Sequence, residues 1–418
     1  MIRMNGMKED ARKIMDASIA QVLPDAAVQK ALEGKTFSGK VIVVAIGKAA
    51  WNMARATKDM LGSRITEGFV LTKYEHCQGD IEGFTLLEAG HPLPDENTIL
   101  GTNQILNAVK NLEEKDTVVF LISGGGSALF ESPAGDLTLE DMLDVTNQLL
   151  KSGADIVEMN AIRKHLSNVK GGRFAQLCAP AQVFAIALSD ILGDRVDAIA
   201  SGPATPDAST CADALAVIEK YQLKLSQKVM EQLRHETPKE IHNSQVFITG
   251  SVSQLCDAAA KEAETLGYTP YILSSLLDCE AKEAGRFLAS MGKSVQNGTA
   301  HFQAPCALIC GGETVVRITG TGKGGRNQEL ALSAAASIAG LEGIVVGAVG
   351  SDGTDGPTDA AGGLVDGNTK GILDEKGISI DKVLFANDSN AALQVADALV
   401  MTGPTGTNVN DLYFVLCK

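Results

Sequence analysis

Three basic side chains stand beside glycines in a way that suits the binding of an anion. Lys48 follows Gly47 at the end of an apolar run, and Lys323 and Arg326 lie in the stretch TGTGKGGRNQEL at 319–330. Glycine lets backbone N–H groups approach a phosphate or carboxylate closely, and a nearby cation neutralises its charge. These residues predict an anion site in which Lys48 stabilises a phosphoryl group in transfer. A solvated lysine at a helix start is the alternative reading of Lys48.

The stretch 319–330 also contains a literal G-x-G-x-x-G, formed by Gly320, Gly322 and Gly325. A dinucleotide fingerprint needs a strand before it, a helix after it and an acidic residue at the end of the next strand. The preceding TVVRIT is expected to be one arm of a hairpin, and Asp352 lies beyond the end of the next apolar run. A Walker A loop is excluded because Lys323 is followed by glycine. An anion site is favoured, and a plain flexible turn stays open.

A second glycine loop, SGGGSALF at 123–130, also joins an expected strand to a helical pattern. Its main-chain donors suit the wrapping of nucleotide phosphates, which predicts cofactor contacts from Ser123, Gly124, Gly125, Gly126 and Ser127. A serine nucleophile elbow would need G-x-S-x-G, but Ser127 is followed by Ala128 and Leu129. A purely structural turn stays open.

Carboxylates lie in two loops, LSDILGD with Asp190 and Asp194, and GSDGTDGPTDAAGG with Asp352, Asp355 and Asp359. Phosphoryl transfer needs a carboxylate to hold Mg²⁺ and often another to orient or deprotonate the acceptor hydroxyl. From their loop positions, Asp190 is predicted to act as a base or a metal ligand, and Asp352 as a metal ligand. Asp-Gly pairs also form turns, so each of these residues has a structural alternative. His91, in AGHPLPDENT, is expected to be structural.

A basic cluster lies in NAIRKHLSNVKGGRF at 160–174, with Arg163, Lys164, His165, Lys170 and Arg173. In so acidic a chain this cluster indicates local anion binding. It fits equally well a helix end with basic residues in its last turn and a glycine cap.

The composition limits the classes of partner. The chain has 418 residues, 45% of them hydrophobic, and a formal net charge of −15. Its length predicts two domains, and its acidity argues against a nucleic-acid or membrane-surface partner, since both need a basic face. A small anionic substrate remains compatible with cations gathered locally, and self-association into a homo-oligomer is left open.

Eight cysteines are spread along the chain without a C-x-x-C pair, so the sequence indicates neither a zinc site nor a disulfide framework. Reduced thiols, an N-terminus unlike a signal peptide and the lack of a long apolar run predict a cytoplasmic protein.

Short apolar runs alternate with glycine or polar loops and helical patterns, which predicts an α/β fold with a mainly parallel sheet. In the first half these runs are VIVVAIG at 41–47, TVVFLIS at 117–123 and QVFAIAL at 182–188. In such sheets ligands lie beyond the carboxyl ends of the strands, where Lys48, the SGGGS loop and Asp190 stand.

The polar segment RHETPKEIHNS at 234–244 predicts a domain boundary, giving an N-terminal domain of residues 1–238 and a C-terminal domain of 239–418. The second half reads as strands and helices again. A tight GGE turn before TVVRIT predicts a hairpin there, and with it a mixed sheet.

Taken together and in order, these stretches resemble the class II glycerate 2-kinase family, whose C-terminal part is known as the MOFRL domain. The similar stretches include AIGKAA, AGHPLPDENT, LISGGGSALFESP, GKGGRNQELAL, GSDGTDGPTDAAGG and TGPTGTNVNDL. The resemblance implies a Rossmann-like N-terminal domain, a mixed α/β C-terminal domain and an active site in the cleft between them.

It further implies ATP-dependent phosphorylation of D-glycerate at the 2-hydroxyl, giving 2-phosphoglycerate. The active-site lysine and arginine of the family correspond to Lys48 and Arg326. Some members are labelled hydroxypyruvate reductases, which leaves an NAD(P)H-dependent reductase open as an alternative. A non-catalytic anion- or nucleotide-binding protein is the third interpretation.

Overall fold

The computed structural model of the chain describes residues 2–193 and 195–418, so Asp194 of the LSDILGD loop lies outside the described residues. Residue contacts divide the chain into two compact units. The first unit is Pro24–Thr249, and the second unit is Gly250–Lys418 together with the N-terminal segment through Leu23.

The helices of the two units are α1 Ile2–Gln21, α2 Pro24–Leu32, α3 Ala50–Leu61, α4 Glu96–Ala108, α5 Gly126–Leu129, α6 Leu139–Ser152, α7 Ile156–His165, α8 Arg173–Cys178, α9 Cys211–Tyr221, α10 Gln227–Gln232, α11 Val252–Thr265, α12 Ala281–Gln296, α13 Arg326–Ser337, α14 Thr369–Glu375, α15 Ile380–Ala386 and α16 Ser389–Val395.

The first unit is built on one sheet with the order β3-β2-β1-β4-β5-β6. Its strands are β1 Val41–Ile46, β2 Glu67–Lys73, β3 Phe84–Ala89, β4 Thr117–Ile122, β5 Gln182–Leu188 and β6 Ser244–Gly250. The pairs β3–β2, β2–β1, β1–β4 and β4–β5 are parallel. This confirms the predicted Rossmann-like sheet, and the strand order reverses between β1 and β4, where such folds bind ligands.

Strands β1 and β4 are buried at every position because helices cover both faces of the sheet. Alternate residues of β1 pack on one face with α2 and α3, and on the other with α4 and α8. This two-sided burial explains why β1, β4 and β5 read in the sequence as continuous apolar runs.

The second unit has a mixed sheet with the order β11-β10-β9-β12-β8-β7. Its strands are β7 Thr269–Leu277, β8 Cys306–Gly312, β9 Ile344–Gly350, β10 Gly362–Asp366, β11 Leu399–Val400 and β12 Asp411–Cys417. The pair β7–β8 is parallel, whereas β12 runs antiparallel to both β8 and β9. The predicted mixed sheet is therefore confirmed.

The predicted hairpin after the GGE turn is wrong. Residues 314–319 form no strand, and only an isolated bridge joins Val315 to Glu280. The Asn387 side chain instead accepts the N–H groups of Thr319 at 2.7 Å and Gly320 at 2.8 Å. The run is too exposed for a strand of this core, since Ile318 is 74% exposed. The antiparallel pairs come instead from β12, which lies between β8 and β9, and from β10, which lies between β9 and β11.

The division of the chain differs from the predicted boundary at 238/239 in two respects. Strand β6 lies beside β5 in the sheet of the first unit, so that unit continues to Thr249. Helix α1 belongs to the second unit, where its apolar face packs with α11 against the sheet. Tyr268 also donates a hydrogen bond to Asp10 at 2.8 Å. Periodicity reveals which face of α1 is apolar, but not which distant partner buries it.

Among the described residues, no helix has both the length and the apolar character needed to cross a bilayer.

Candidate functional site

The loops that follow β1 and β4 are joined into one surface in the first unit. Ser123 Oγ accepts the N–H of Ala49 at 3.0 Å, and Lys48 N–H donates to the carbonyl of Gly124 at 2.9 Å. Gly47 has φ +103°, and a Cβ there would overlap Ser123. Glycine at this position therefore lets the two loops approach, and the Lys48 side chain lies exposed beside the glycine loop.

The glycine loop presents main-chain donors. Within the described part of the chain, the N–H groups of Gly124, Gly125 and Ser127 donate to no acceptor. Gly125 adopts φ +84°, a left-handed conformation that turns the backbone at this point. Successive unpaired N–H groups beside a cation form a concavity suited to phosphate oxygens.

Asp190 lies against this loop. It follows β5, and a Cβ on Gly124 would overlap its carboxylate. The predicted residues of the first unit, namely Lys48, the loop Ser123–Ser127 and Asp190, are thus brought together at the carboxyl ends of β1, β4 and β5.

His91, which the sequence predicts to be structural, also lies beside this surface. A Cβ on Gly125 would lie 3.0 Å from His91 Nε2 and 3.4 Å from Lys48 Cγ. Burial lowers the pKa of His91, and the positive charges of Lys48, Lys73 and His76 lower it further. The imidazole is therefore neutral at neutral pH and offers the surface one donor and one acceptor.

Part of the basic cluster supports the glycine loop from beneath. Arg163 Nη2 donates to the carbonyl of Ser127 at 3.1 Å. Lys170 is fully buried and donates to the carbonyl of Phe130 at 3.0 Å and to Glu131 at 2.6 Å. Burial lowers the pKa of Lys170 to about 8, although the charge of Glu131 opposes this shift. These two cations hold the loop in place, and neither forms an open anion patch.

The other members of the cluster are also engaged within the first unit. Lys164 forms a buried ion pair with Asp207 at 3.0 Å, and Arg173 donates to the carbonyl of Ser167 at 2.8 Å. The cluster is therefore chiefly structural.

The second unit contains a cavity of about 690 Å³ whose lining includes Glu313, Arg326, Asp352, Asp355 and Asn387. Arg326, the first residue of α13, reaches the start of β12. Its Nε donates to Asp411 Oδ2 at 2.6 Å, its Nη2 to Asp411 Oδ1 at 3.2 Å, and its Nη1 to Glu313 at 2.8 Å. Burial opposes the charge of Arg326, but Asp411 and Glu313 raise its pKa, so it stays protonated.

The three aspartates in the acidic loop of the second unit have different surroundings. Asp355 is buried and caps α13 by accepting the N–H groups of Asn327 at 3.1 Å and Gln328 at 2.9 Å. Burial raises the pKa of Asp355 to about 6, although these N–H groups lower it. Asp352 lines the cavity and accepts the N–H of Thr354 at 3.0 Å, as a turn residue does. Asp359 is exposed.

Lys323 is exposed and is not among the residues that line this cavity. Its N–H donates to Asp388 at 3.0 Å, and its carbonyl accepts from Asn390 at 3.1 Å. The cavity thus brings together Arg326 and Asp352 of the predicted residues, but not Lys323. The predicted cleft location of the active site stays a prediction.

Sequence reasoning missed Glu313, Asp411 and His91. Asp411 begins the last strand and is separated from Arg326 by 85 residues. No local pattern marks it as the partner of an arginine. Glu313 does carry a signal, since it follows two glycines at the end of β8, where site residues collect.

Comparison with known proteins gives a consistent result over the whole chain. The model of a domain of unknown function, DUF4147, matches residues 10–234, and the MOFRL family model matches residues 306–411. The chain is 52% identical to a D-glycerate 2-kinase of Thermotoga maritima over 97% of both chains. It is 40% identical to an Agrobacterium vitis protein provisionally named a hydroxypyruvate reductase, over 97% of this chain and 93% of the relative.

A crystal structure of a glycerate kinase from Thermotoga maritima is similar to this structure, with a TM-score of 0.96 and 51% identity. The similarity covers 99% of this chain and all of that chain.

Proposed function

The chain belongs to the MOFRL-type glycerate 2-kinase family, and from this premise we propose that it transfers the terminal phosphoryl group of ATP to the 2-hydroxyl of D-glycerate. The products are 2-phosphoglycerate and ADP. The observation that carries this proposal is the hydrogen bond from Lys48 N–H to Gly124, which places a cation beside the unpaired N–H groups of a glycine loop.

We assign the nucleotide phosphates to the SGGGS loop. Donors from Gly124, Gly125 and Ser127 bind phosphate oxygens without a side-chain charge, and Lys48 neutralises the charge that develops during transfer. Arg163 and Lys170 keep the loop in position from below, so the donors are already oriented before the nucleotide binds. Lys323 remains a proposed nucleotide contact, since it is exposed on a glycine-rich loop.

We further propose Mg²⁺ as the metal of the reaction. Carboxylate oxygens are the protein ligands that Mg²⁺ prefers, and Asp190 has such a group beside the phosphate loop. Asp190 would hold a magnesium ion there, and the ion would supply positive charge against the phosphates. Asp190 either holds this ion or accepts the proton of the 2-hydroxyl. Asp352 is proposed separately as a metal carboxylate of the second unit, since it lines the cavity there.

Arg326 is proposed to bind the glycerate carboxylate or the developing phosphoryl charge. Its two carboxylate partners differ in exposure, because the side chain of Glu313 is 46% exposed and that of Asp411 only 3%. An anionic substrate can therefore displace Glu313 from Nη1, while Asp411 keeps the guanidinium plane fixed. An arginine suits this role because its fork binds two carboxylates at once.

The reductase alternative is less well supported. Its dinucleotide fingerprint would be Gly320, Gly322 and Gly325, but the residues before them form no strand. The N–H groups of Gly320 and Gly322 are also used, since they donate to Asn387 and to the carbonyl of Ala386 at 2.8 and 2.9 Å. A pyrophosphate would find few donors there. A non-catalytic binding protein would leave the placement of Asp190 and Lys48 against the same glycine loop without a role.

The proposal is tested with purified protein, D-glycerate, MgATP and NADH, following ADP and NADH separately. Formation of ADP that depends on D-glycerate supports the kinase. Loss of NADH on hydroxypyruvate without ADP formation contradicts it. Coupling directly to enolase, with no mutase present, gives a signal from 2-phosphoglycerate but not from its 3-phospho isomer, and so identifies the hydroxyl that accepts.

We also propose that the protein works in the cytoplasm, because its eight cysteines are all free thiols, as expected in a reducing compartment.

A further inference from the structure

Three residues from separate segments of the first unit bring metal-ligand atoms together. His165 is the last residue of α7, Cys211 is the first residue of α9, and Glu236 follows α10. His165 nitrogen, Cys211 Sγ and a Glu236 carboxylate oxygen all lie within 4.8 Å of one another. The spacing of 46 and 25 residues between neighbouring members resembles no metal motif, which explains why the sequence indicated no zinc site.

The imidazole of His165 is arranged as a metal ligand is. Its Nδ1 lies 2.7 Å from the carbonyl of Ala161, so Nδ1–H is assigned as the donor of this contact and Nε2 is left as the ligand atom. The residue is 0% exposed, and Nε2 has no hydrogen-bond partner in the described part of the chain. A ring held through one nitrogen by a backbone carbonyl, with the other nitrogen open, is the usual arrangement of a histidine that binds metal.

Glu236 is oriented toward this nitrogen. Its Oε1 accepts the N–H of Cys211 at 3.0 Å, and its Oε2 lies 3.7 Å from His165 Nε2. Lys239 at 2.9 Å and the Cys211 N–H lower the pKa of Glu236 to about 2, so the carboxylate is ionised. Burial and Glu236 raise the pKa of the Cys211 thiol. Lys239 and Arg173 are the cations that face the cluster.

We propose that His165, Cys211 and Glu236 bind one divalent cation of the zinc class. Nitrogen, thiolate and carboxylate together are a ligand set of Zn²⁺ and Co²⁺, whereas Mg²⁺ selects oxygen ligands. The Cys211 thiol loses its proton to solvent on binding, and the two anionic ligands balance the charge of the ion. Water fills a fourth position. This site is distinct from the proposed magnesium ligands Asp190 and Asp352.

The ion would link the end of α7, the start of α9 and the segment that follows α10. Helix α7 also carries Asn160 and Arg163, which contact Ser201 and Ser127 at the base of the glycine loop. Metal binding at the end of α7 therefore stabilises the support of that loop. The inference does not depend on the proposed kinase activity, and its test reads binding and stability.

The test uses the full chain, stripped of metal with a chelator and free of nucleotide, titrated with Co²⁺ and then with Zn²⁺. We expect one Co²⁺ per chain, a near-ultraviolet thiolate-to-cobalt absorption and the visible bands of a four-coordinate ion, all displaced by Zn²⁺. Zn²⁺ should also raise the melting temperature, since it binds only the folded chain.

Cys211→Ser should abolish the thiolate absorption and weaken Zn²⁺ binding by more than about 100-fold. Loss of a residue that only hydrogen-bonds to a metal ligand already costs up to about 100-fold in affinity, and Cys211 is proposed as a ligand itself. Glu236→Gln should weaken binding without abolishing that absorption. Cys279→Ser, at an exposed cysteine, is the matched control and should behave as wild type. Equal cobalt spectra in wild type and Cys211→Ser, or no cobalt absorption in the folded wild-type chain, would overturn the proposal.

Discussion

Arg326 and Asp411 are joined by two hydrogen bonds, from Nε to Oδ2 at 2.6 Å and from Nη2 to Oδ1 at 3.2 Å. Tyr413 also donates to Asp411 at 2.9 Å, and the Tyr413 hydroxyl lies 3.1 Å from the N–H of Thr314. A carboxylate that receives three hydrogen bonds at the start of a central strand is a rigid support. The direction in which Arg326 points into the cavity is therefore set by β12.

Asp411→Asn should lower kcat/KM by about 10²-fold through the position of Arg326, because a small misplacement of a binding group has effects of this size. The amide cannot accept both N–H groups of the guanidinium. Steady-state kinetics should show an increased KM for D-glycerate, while the KM for ATP changes little. Far-UV circular dichroism checks that the variant is folded. Unchanged kinetics in a folded variant would mean that Asp411 does not position Arg326.

Lys48→Ala and Arg326→Ala should each lower kcat/KM by about 10²-fold or more, the scale for losing a charge that stabilises the transition state. Lys115→Ala and Arg286→Ala are matched controls, since both side chains are more than half exposed and pair with nearby glutamates. Rates close to wild type in either site variant would remove that residue from the proposed centre.

Gly125→Ala should raise the KM for ATP by about 10-fold or more, since its Cβ would lie 3.0 Å from His91 and disturb the phosphate donors. Gly153→Ala is the control, because Gly153 has φ +77°, close to the +84° of Gly125, but a Cβ there meets nothing within 4 Å. Both variants carry the cost of a left-handed alanine. If both change the KM for ATP equally, backbone strain rather than the phosphate loop is responsible.

Asp190→Asn distinguishes the two roles proposed for this carboxylate. If Asp190 holds the metal, the Mg²⁺ concentration for half-maximal activity should rise, by about 10-fold or more, the range for disturbing a metal site. If Asp190 is the base, kcat should fall at saturating Mg²⁺ and the acidic limb of the pH–rate profile should disappear. A variant with unchanged metal dependence and an unchanged pH profile would exclude both roles.

Asp355 should make the stability of the second unit depend on pH. Its pKa is about 6 in the folded chain against an ordinary 3.8, so between these values the folded state binds more protons than the unfolded state. The stabilisation of the folded state by Asp355 is fully present below about pH 3.8 and is lost as the pH rises to about 6. Its upper limit is about 3 kcal/mol. The free energy of unfolding, measured with denaturant, should therefore fall in wild type relative to Asp355→Asn as the pH rises through this window. A difference independent of pH would show that Asp355 titrates normally.

The sequence predicts the sheet of the first unit well because its central strands are buried on both faces. The runs 41–46 and 118–122 contain no polar residue, and Lys48 and the SGGGS stretch follow them. Their proximity follows from parallel pairing alone. The site of the first unit was therefore within reach of sequence reasoning.

What the sequence does not predict are the partners chosen across long separations. TVVRIT has the composition of a strand, but Val315 exchanges backbone hydrogen bonds with Cys279 and Ala281, and the Thr319 N–H donates to the side chain of Asn387. Asp355 has the local signature of a turn, yet it caps a helix that begins 29 residues earlier, at Arg326. The hydrogen-bond partners in both cases depend on the position of the second sheet, and no local sequence pattern encodes that position.

The placement of α1 has a consequence for synthesis on the ribosome. This helix ends at Gln21, but the strands that share a hydrophobic core with Met7, Ile14 and Met15 begin at Cys306, and the last of them, β12, ends at Cys417. During translation the apolar face of α1 therefore meets α11 only after the intervening segment Pro24–Thr249 has left the tunnel, and it meets the complete sheet only after β12 has been made. We expect chains terminated before β12 to leave this apolar face partly uncovered and to aggregate.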